Sequence, residues 1–442
     1  MNQKSCRLRS ENGVRQLERE AIRIEKLVHG GQAMGTMSDG RKVFAWNALP
    51  GELVRGRIIK KKKSFVEMIA DEIVEPSKKR IQPEEANYLA TSPWQIMKPE
   101  SEDEYKRAIT QELFTQAHVQ TPDAGLRLGA STADSKYGFY GYRNKMEYSF
   151  WGDDDGLHLA LHNRGSHQKA IVAGSKLALP AIDAAALAVV TQLNNRGIRA
   201  AELKTIIVRC SQLGKAVGAL FIKSDDFPAL QLPPELQGLR VYFSNPKSPA
   251  SVPTKLLQDL GDATLHDVLL GKQFTYDVNS FFQVNVPVFE TALAHIKAEC
   301  QDERIADMYA GTGSIGLSVA SSVVDLVELD PASAAMARIN ATASGLAARV
   351  VEAAAEADPS SYIAGGSTLI VDPPRAGLHQ KVIDAILTAK PPKIMYLSCN
   401  PATQARDLSL LQHVYAIKNV EIFNFFPRTP HIETLAVLTR NT

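Results

Sequence analysis

The segment Asp307-Met308-Tyr309-Ala310-Gly311-Thr312-Gly313-Ser314-Ile315-Gly316 constrains the fold of this chain more than any other. An apolar run, Ile305–Tyr309, reads as a strand leading into it, and a helix is predicted to open after it. Gly311, Gly313 and Gly316 fit G-x-G-x-x-G. Lacking Cβ atoms, they let a backbone approach a ligand closely, and the N–H groups of a helix start favour an anionic group there. Val323–Leu329 reads as a second strand, which places Glu328 21 residues after Asp307. A carboxylate in that place can accept hydrogen bonds from both hydroxyls of a ribose. A helix over Ser333–Ser344 and strands over Thr368–Val371 and Lys393–Ser398 continue the alternation. This period predicts a doubly wound α/β sheet over residues 276–442. The glycines alone would also suit a plain tight turn; the strand before and the acid after favour a ligand. NAD-type dinucleotides and S-adenosylmethionine both fit.

Upstream the pattern is different. Residues 1–20 are polar and read as a flexible tail. Over 21–78, short β-like runs (Ile22–Leu27, Lys42–Ala45, Leu53–Lys60, Ser64–Ile73) alternate with Gly- and Pro-containing turns. Such spacing predicts a small β-barrel, with Lys60, Lys61, Lys62 and Lys63 projecting from a hairpin loop. Residues 79–275 read as a linker, an amphipathic helix over 100–118, and an α+β region. In that region Met146–Trp151 and Leu157–Leu161 form one predicted hairpin around a 152–156 turn. Thr205–Arg209 and Ala216–Ile222 form another, and a helix covers Pro180–Asn195.

Charge is distributed unevenly. Residues 1–80 hold 18 Lys and Arg against 10 Asp and Glu, while the remaining 362 residues hold 32 against 38. A basic leading segment on a mildly acidic body suits docking to a polyanion, or simply a solvated surface. The four cysteines, Cys6, Cys210, Cys300 and Cys399, are far apart. No spacing suits a zinc or iron–sulfur site, and a disulfide framework is not expected in so large and cysteine-poor a chain. His158, His162 and His167 are locally dense but are expected at the surface or against phosphate rather than on a metal. The longest apolar stretch, Leu177 to Leu193, is interrupted by Pro180 and Asp183 and is too short to span a bilayer. With no secretory signal visible, the cytoplasm is the expected compartment.

Three segments place chemistry at strand ends. Asp372-Pro373-Pro374-Arg375-Ala376-Gly377 is a carboxylate-bearing turn stiffened by two prolines. Ser398-Cys399-Asn400-Pro401 places a thiol in a polar turn, suited to a nucleophile. Phe426–Glu433 ends on a carboxylate just before a β-rich run. Glu433 suits a general base of raised pKa, or a surface acid capping a hairpin.

Taken together, these segments resemble the RNA uracil-5-methyltransferases, the family of the large-subunit ribosomal RNA and T-loop tRNA uridine methylases. Ile24–Ser77, with its Ala48-Leu49-Pro50-Gly51-Glu52 turn, resembles a TRAM domain, an OB-like barrel. Tyr142-Arg143-Asn144-Lys145 resembles the family's central RNA-binding motif, and Ser280-Phe281-Phe282-Gln283-Val284-Asn285 its cofactor-entry motif. The resemblance implies a class I, Rossmann-like methyltransferase domain. Gln283, Tyr309, Gly311, Gly313, Ser314, Glu328 and Asp372 would line the S-adenosylmethionine site. Cys399 would be the nucleophile and Glu433 the proton acceptor. Lys60 to Lys63, Arg143 and Lys145 are the expected RNA contacts.

The chemistry agrees with these roles. Thiolate addition to C6 of uracil makes C5 enolate-like and divides one hard step into two easier ones. The target base must leave its stack, and Phe281, Phe282 and Tyr309 are candidates to hold it, or else ordinary core. Many relatives carry an iron–sulfur cluster on four cysteines that begin just after the TRAM domain. Residues 80–95 here contain no cysteine, so no cluster is expected. Ribosomal RNA is favoured over tRNA because shorter tRNA enzymes of the family lack the barrel. A monomer is expected. A catalytically dead RNA-binding protein would not need Cys399 and Glu433. An NAD-dependent oxidoreductase would leave the barrel and the Cys–Glu pair unused.

Overall fold

The computed structural model describes residues 20–122, 125–130, 138–165, 168–248, 250–300, 304–363 and 367–441. The tail expected over 1–20 (apart from Glu20), Cys6 and His167 lie outside them. The chain divides into two compact units. One takes the described residues of Met1–Ile109, His162–Ala170 and Arg428–His431; the other takes those of Thr110–Leu161, Ile171–Pro427 and Ile432–Thr442.

The first unit contains a closed barrel in the order β1-β2-β3-β5-β4. Its strands are β1 (Ile22–Leu27), β2 (Ala33–Thr36), β3 (Lys42–Trp46), β4 (Leu53–Lys61) and β5 (Phe65–Glu75). Alternation places Ile22, Ile24, Val43 and Ala45 inside. Only β2 was not legible, because its inward positions are the small Ala33 and Gly35, which give no apolar alternation. Closure needs Gly56: a Cβ there would stand 1.9 Å from the Ile69 carbonyl oxygen, and the β4–β5 register shifts beside it. The 48–52 turn is built on the fully buried Glu52, whose Oε2 accepts the Leu49 N–H (2.8 Å). Arg80 closes the turn with a bidentate pair, Nε to Oε1 at 2.6 Å and Nη2 to Oε2 at 2.8 Å. Beyond it, Gln95 accepts the amides of Glu84 and Glu85 and donates to Glu85 and Ser92. Helix α1 (Pro99–Gln116) follows.

β6 (Arg127–Ala130) precedes a seven-stranded sheet ordered β13-β12-β11-β10-β7-β8-β9, which falls in the second unit except for His162, Lys169 and Ala170. These are β7 (Lys145–Asp153), β8 (Gly156–His162), β9 (Lys169–Ile171), β10 (Leu203–Cys210), β11 (Ala216–Ile222), β12 (Gly238–Phe243) and β13 (Lys255–Gly261). The expected 152–156 turn narrows to Asp154-Asp155, since Asp153 already pairs with Gly156. Helix α2 (Pro180–Asn195) begins with proline at its first turn and buries Ile182, Ala185, Ala186, Val189, Val190 and Leu193. That spacing is one helix face; each large aliphatic on it is worth about 1.5–3 kcal/mol of burial. The hairpin β14 (Thr264–Leu269) and β15 (Lys272–Asp277) leads to α3 (Val286–Glu299).

The eight-stranded sheet runs β18-β17-β16-β19-β20-β22-β21-β6. Its elements are β16 (Arg304–Met308), α4 (Ser314–Val319), β17 (Val323–Glu328), α5 (Pro331–Ser344), β18 (Ala347–Glu352), β19 (Thr368–Val371), α6 (Gln380–Ala389), β20 (Lys393–Ser398), α7 (Pro401–Leu411), β21 (Tyr415–Phe423) and β22 (Glu433–Arg440). The five strands from β16 to β20 are parallel and β22 is antiparallel to β20. The sheet is therefore doubly wound, and its winding reverses between β16 and β19. One apolar core includes Phe221 on β11, Phe289 and Leu293 on α3, and Leu326 on β17. Among the described residues no helix is long and apolar enough to cross a membrane.

Candidate active site

The carboxyl ends of β17, β16, β19 and β20 and the start of β22 share one edge of the sheet. In that spatial order they present Glu328, Tyr309–Gly313, Asp372, Cys399 and Glu433. Neighbouring strands lie ~4.8 Å apart, so Glu328 and Cys399, three strands apart, are separated by ~14 Å along the edge. Tyr309 and Asp372 flank the reversal point, where open α/β sheets bind ligands.

The glycine turn is held open by its own backbone. β16 ends at Met308, one residue earlier than expected, because Tyr309 leaves it at φ 67°, a conformation rare for a bulky side chain. Gly313 has φ 80°, and a Cβ there would meet Leu317 and Leu326 at 2.8 and 3.0 Å. Ser314 opens α4 and is buried. Asp307 Oδ2 accepts the Gly316 N–H at 2.8 Å; its Oδ1 is buried with no hydrogen-bond partner. Burial pushes the Asp307 carboxyl up to about 8. Glu328 accepts the Gly311 N–H on Oε2 and the Asp330 N–H on Oε1, both at 2.7 Å. Each oxygen keeps a second lone pair, so the carboxylate is oriented and still able to receive two hydroxyls. These residues fit the ribose of S-adenosylmethionine.

Gln283 is buried, and its carbonyl accepts the Asn144 side-chain amide at 2.9 Å. Phe281 is 57% exposed, and its ring lies 3.5 Å from where a Gly311 Cβ would stand. Phe282 is not available to a base: it is buried and stacks on Tyr276 with centroids 4.1 Å apart.

At the other end, Ser398 on β20 pairs with Thr434 on β22. One step further in this antiparallel register sets Cys399 opposite Glu433. The strands are locked there: Gln404 donates to the carbonyls of Tyr396 and Thr434, and the Thr434 hydroxyl donates to Gln404. Cys399 immediately precedes Asn400, the N-cap of α7, whose positive end favours a thiolate. Glu433 is only 2% exposed, not a surface acid, and its Oε1 has no hydrogen-bond partner.

Charge in this corner is suppressed. Burial, then the Glu433 and Asp372 carboxylates, push the Cys399 thiol up to about 12. Burial, then Asp372, raise Glu433 well above the usual carboxylate range. Burial raises Asp372 to about 7. Arg375 is the cation whose field pulls Cys399 and Glu433 back toward their charged forms. Its carbonyl is held by Asn400 Nδ2 (2.8 Å) and Thr403 Oγ1 (3.3 Å).

The expected RNA contacts fall in both units. Lys60 and Lys61 belong to β4 rather than to a loop, because pairing with Glu67 and Val66 carries the strand that far; only Lys62 and Lys63 turn the corner. Lys60 Nζ is taken by Glu67 at 2.6 Å. Arg143 is half-buried and its Nε donates to the Lys145 carbonyl at 2.9 Å. Lys145 is also half-buried, and burial lowers it to about 8. His158 does have a carboxylate partner, Asp153 at 2.8 Å, and His162 ends β8. Among the described residues no group of three or more His, Cys, Asp or Glu is placed to hold a metal. Sequence reasoning missed Gln404 and Arg209, whose partners lie 30 and about 70 residues away; no local pattern marks either.

A family model described as tRNA (Uracil-5-)-methyltransferase matches residues 355–441, the stretch holding Asp372, Cys399 and Glu433. A protein of Lactobacillus johnsonii named "Uncharacterized RNA methyltransferase" is 30% identical over 443 residues, covering 92% of this chain and 96% of that one. The chain belongs to the RNA uracil-5-methyltransferase family. A similarly named protein of Parasynechococcus marenigrum is 31% identical over 328 residues, covering 68% of this methyltransferase and 70% of its own length. The crystal structure of Pyrococcus abyssi tRNA (uracil-54, C5)-methyltransferase with S-adenosyl-L-homocysteine has the same fold. Its TM-score is 0.76 at 21% identity, covering 95% of this chain and 100% of that one. The protein is an RNA methyltransferase acting on C5 of uracil.

Proposed function

We propose that this methyltransferase works through Cys399 and Glu433 and that its substrate is a uridine of 23S ribosomal RNA. The observation that carries the catalytic reading is the register that, continued one step past Ser398 and Thr434, sets Cys399 opposite Glu433, on the sheet edge that also carries the glycine turn. Glu328 would hold the ribose of S-adenosylmethionine, which would supply a methyl group on a positive sulfur and leave as neutral S-adenosylhomocysteine, the S–CH3 bond breaking as the methyl passes to C5. Cys399 Sγ adds to C6 of the uracil as a thiolate, and the electron pair of the C5–C6 bond moves to C5, the atom that is methylated. Glu433 then takes the C5 proton on a carboxylate oxygen. The electrons of that C–H bond restore the C5–C6 double bond, and the S–C6 bond breaks to return the thiolate. The dry, nearly uncharged corner suits a flat neutral base. A buried carboxylate of raised pKa is a stronger proton acceptor once it is ionised.

Unmodified uridine-containing RNA incubated with labelled S-adenosylmethionine should yield 5-methyluridine, and Cys399→Ala should abolish it. A product carrying the label anywhere but C5 contradicts this reading.

Two RNAs are in play. The surplus of basic residues in the segment holding the barrel suits docking to either RNA; ribosomal RNA is favoured because shorter tRNA enzymes of the family lack such a barrel. The tRNA reading is supported by the likeness to the Pyrococcus enzyme: coverage of 95% of this chain leaves too few residues outside to omit the barrel. Both RNAs, tested in parallel at equal concentration, decide between them by the ratio of kcat/KM.

A further inference from the structure

Arg209 is among the most deeply buried cations among the described residues, at 1% exposure, and no carboxylate pairs with it. It lies on β10, across from Lys145 on β7. Its charge is met by three carbonyls from one short stretch of chain. Nη1 donates to Asp277 (3.3 Å) and Ser280 (2.6 Å), and Nη2 to Phe282 (2.8 Å). Its plane rests 5.1 Å from the centroid of Tyr276, the ring that stacks on Phe282. Nε has no partner. Burying a cation costs heavily unless its surroundings are fixed to receive it. A fixed, planar fork meeting three carbonyls imposes one geometry on the backbone that carries them.

That backbone is the segment leading to the glycine turn. From the clamp it continues to Phe281, whose N–H donates to Ser333 Oγ in the first turn of α5 (3.0 Å), and to Gln283. Asn144 ties the far end, taking the Gln283 carbonyl on Nδ2 (2.9 Å) and the Val284 carbonyl on its own N–H (3.0 Å). We propose that Arg209 is a positioning residue for the cofactor. Its guanidinium pre-forms the 277–283 turn, so that Phe281 already stands against Gly311, and Gln283 is already fixed two residues on, before S-adenosylmethionine arrives. A ligand then binds without ordering this wall itself. The inference rests on the assignment of Gly311 to Glu328 as the place of S-adenosylmethionine.

The test is Arg209→Lys, which keeps the charge and loses the fork. S-adenosylhomocysteine affinity by calorimetry should fall about 10-fold, the scale expected for losing charge-assisted hydrogen bonds. KM for S-adenosylmethionine should rise in step, while kcat at saturation and KM for RNA stay within about twofold of wild type. Unchanged affinity in a folded variant overturns the proposal, as does a fall in kcat with KM unmoved, which marks a structural role only. If the variant does not fold, hydrogen exchange of the wild type decides. Residues 277–285 should be protected without ligand and gain little on adding S-adenosylhomocysteine. Free exchange that becomes protected only with ligand overturns it. Wild-type protein that binds no S-adenosylhomocysteine would defeat the site assignment instead, and is read from the same titration.

Discussion

The hairpin between β4 and β5 and the mouth of the eight-stranded sheet both gather ionisable groups, and they treat them in opposite ways. On the hairpin, Lys60 to Lys63 are exposed, and Lys60 finds a carboxylate within 2.6 Å. Such solvated groups act through long-range attraction, which salt screens. At the sheet mouth, Cys399, Glu433 and Asp372 crowd together near the cation Arg375, and burial is the largest force on each. The same carboxylate chemistry becomes a proton acceptor when it is dry and a solvated charge when it is wet. Composition does not separate the two cases; strand register and burial do.

Cys399→Ala breaks the comparison most completely. Methylation should fall by about 10⁴-fold or more, since the variant lacks the thiolate that adds to C6. RNA and S-adenosylhomocysteine affinities should be retained, and filter binding with calorimetry checks both. Glu433→Gln should lower turnover by about 10²–10⁴-fold, the usual range for a general base. Its signature is specific. Addition and methylation proceed, elimination does not, and an RNA–protein adduct survives a denaturing gel with ordinary uridine. A Glu433→Gln protein that turns over slowly without accumulating adduct contradicts the assigned step.

The third prediction concerns pH. Burial raises Asp307 from an ordinary 3.8 to about 8 and Asp372 to about 7, so the native state holds these protons more tightly than the unfolded chain. Their contribution to stability is complete below about pH 4 and is lost as pH rises through about 7 to 8. Thermal unfolding midpoints should therefore fall on going from pH 6 to pH 9. Asp307→Asn, which cannot ionise, should flatten that fall. Equal slopes for the two proteins would show that Asp307 is not the group responsible. The smallest effect belongs to the hairpin. Replacing Lys61, Lys62 and Lys63 with Ala should weaken RNA binding about 10-fold near 0.1 M salt. It should also lower the slope of log K against log salt by about one for each phosphate no longer neutralised. Cofactor affinity should not move. Lys60→Ala should do less than any of the three, because Glu67 already shares its charge.

Much of this was legible in the sequence, for local reasons. The strand ends at Val371 and Ser398 and the helix Pro180–Asn195 were fixed by apolar period together with proline and asparagine at element boundaries. Cys399, Glu328 and Glu433 stood out because a polar residue ends an apolar run. The reach of β4 through Lys61 was not legible, since a run of lysines resembles a loop until Glu67 and Val66 are known to lie opposite. Phe282 and Phe281 are indistinguishable as letters; only packing shows one ring stacked on Tyr276 and the other in solvent. Arg209 looked like any strand arginine, because the carbonyls that receive it lie about 70 residues on. Long-range partners, rather than weak local signals, account for what the sequence concealed.

The pairing of Cys399 with Glu433 is tested most directly by trapping. RNA carrying 5-fluorouridine has no C5 proton to give up, so addition and methylation should leave the protein bound to the base. Mass spectrometry of the digested complex should find one linkage, on Cys399, with a methyl group on the attached fluorouracil. A linkage to any other residue, or methylated normal RNA with no trapped complex from its fluorinated counterpart, would contradict the assignment.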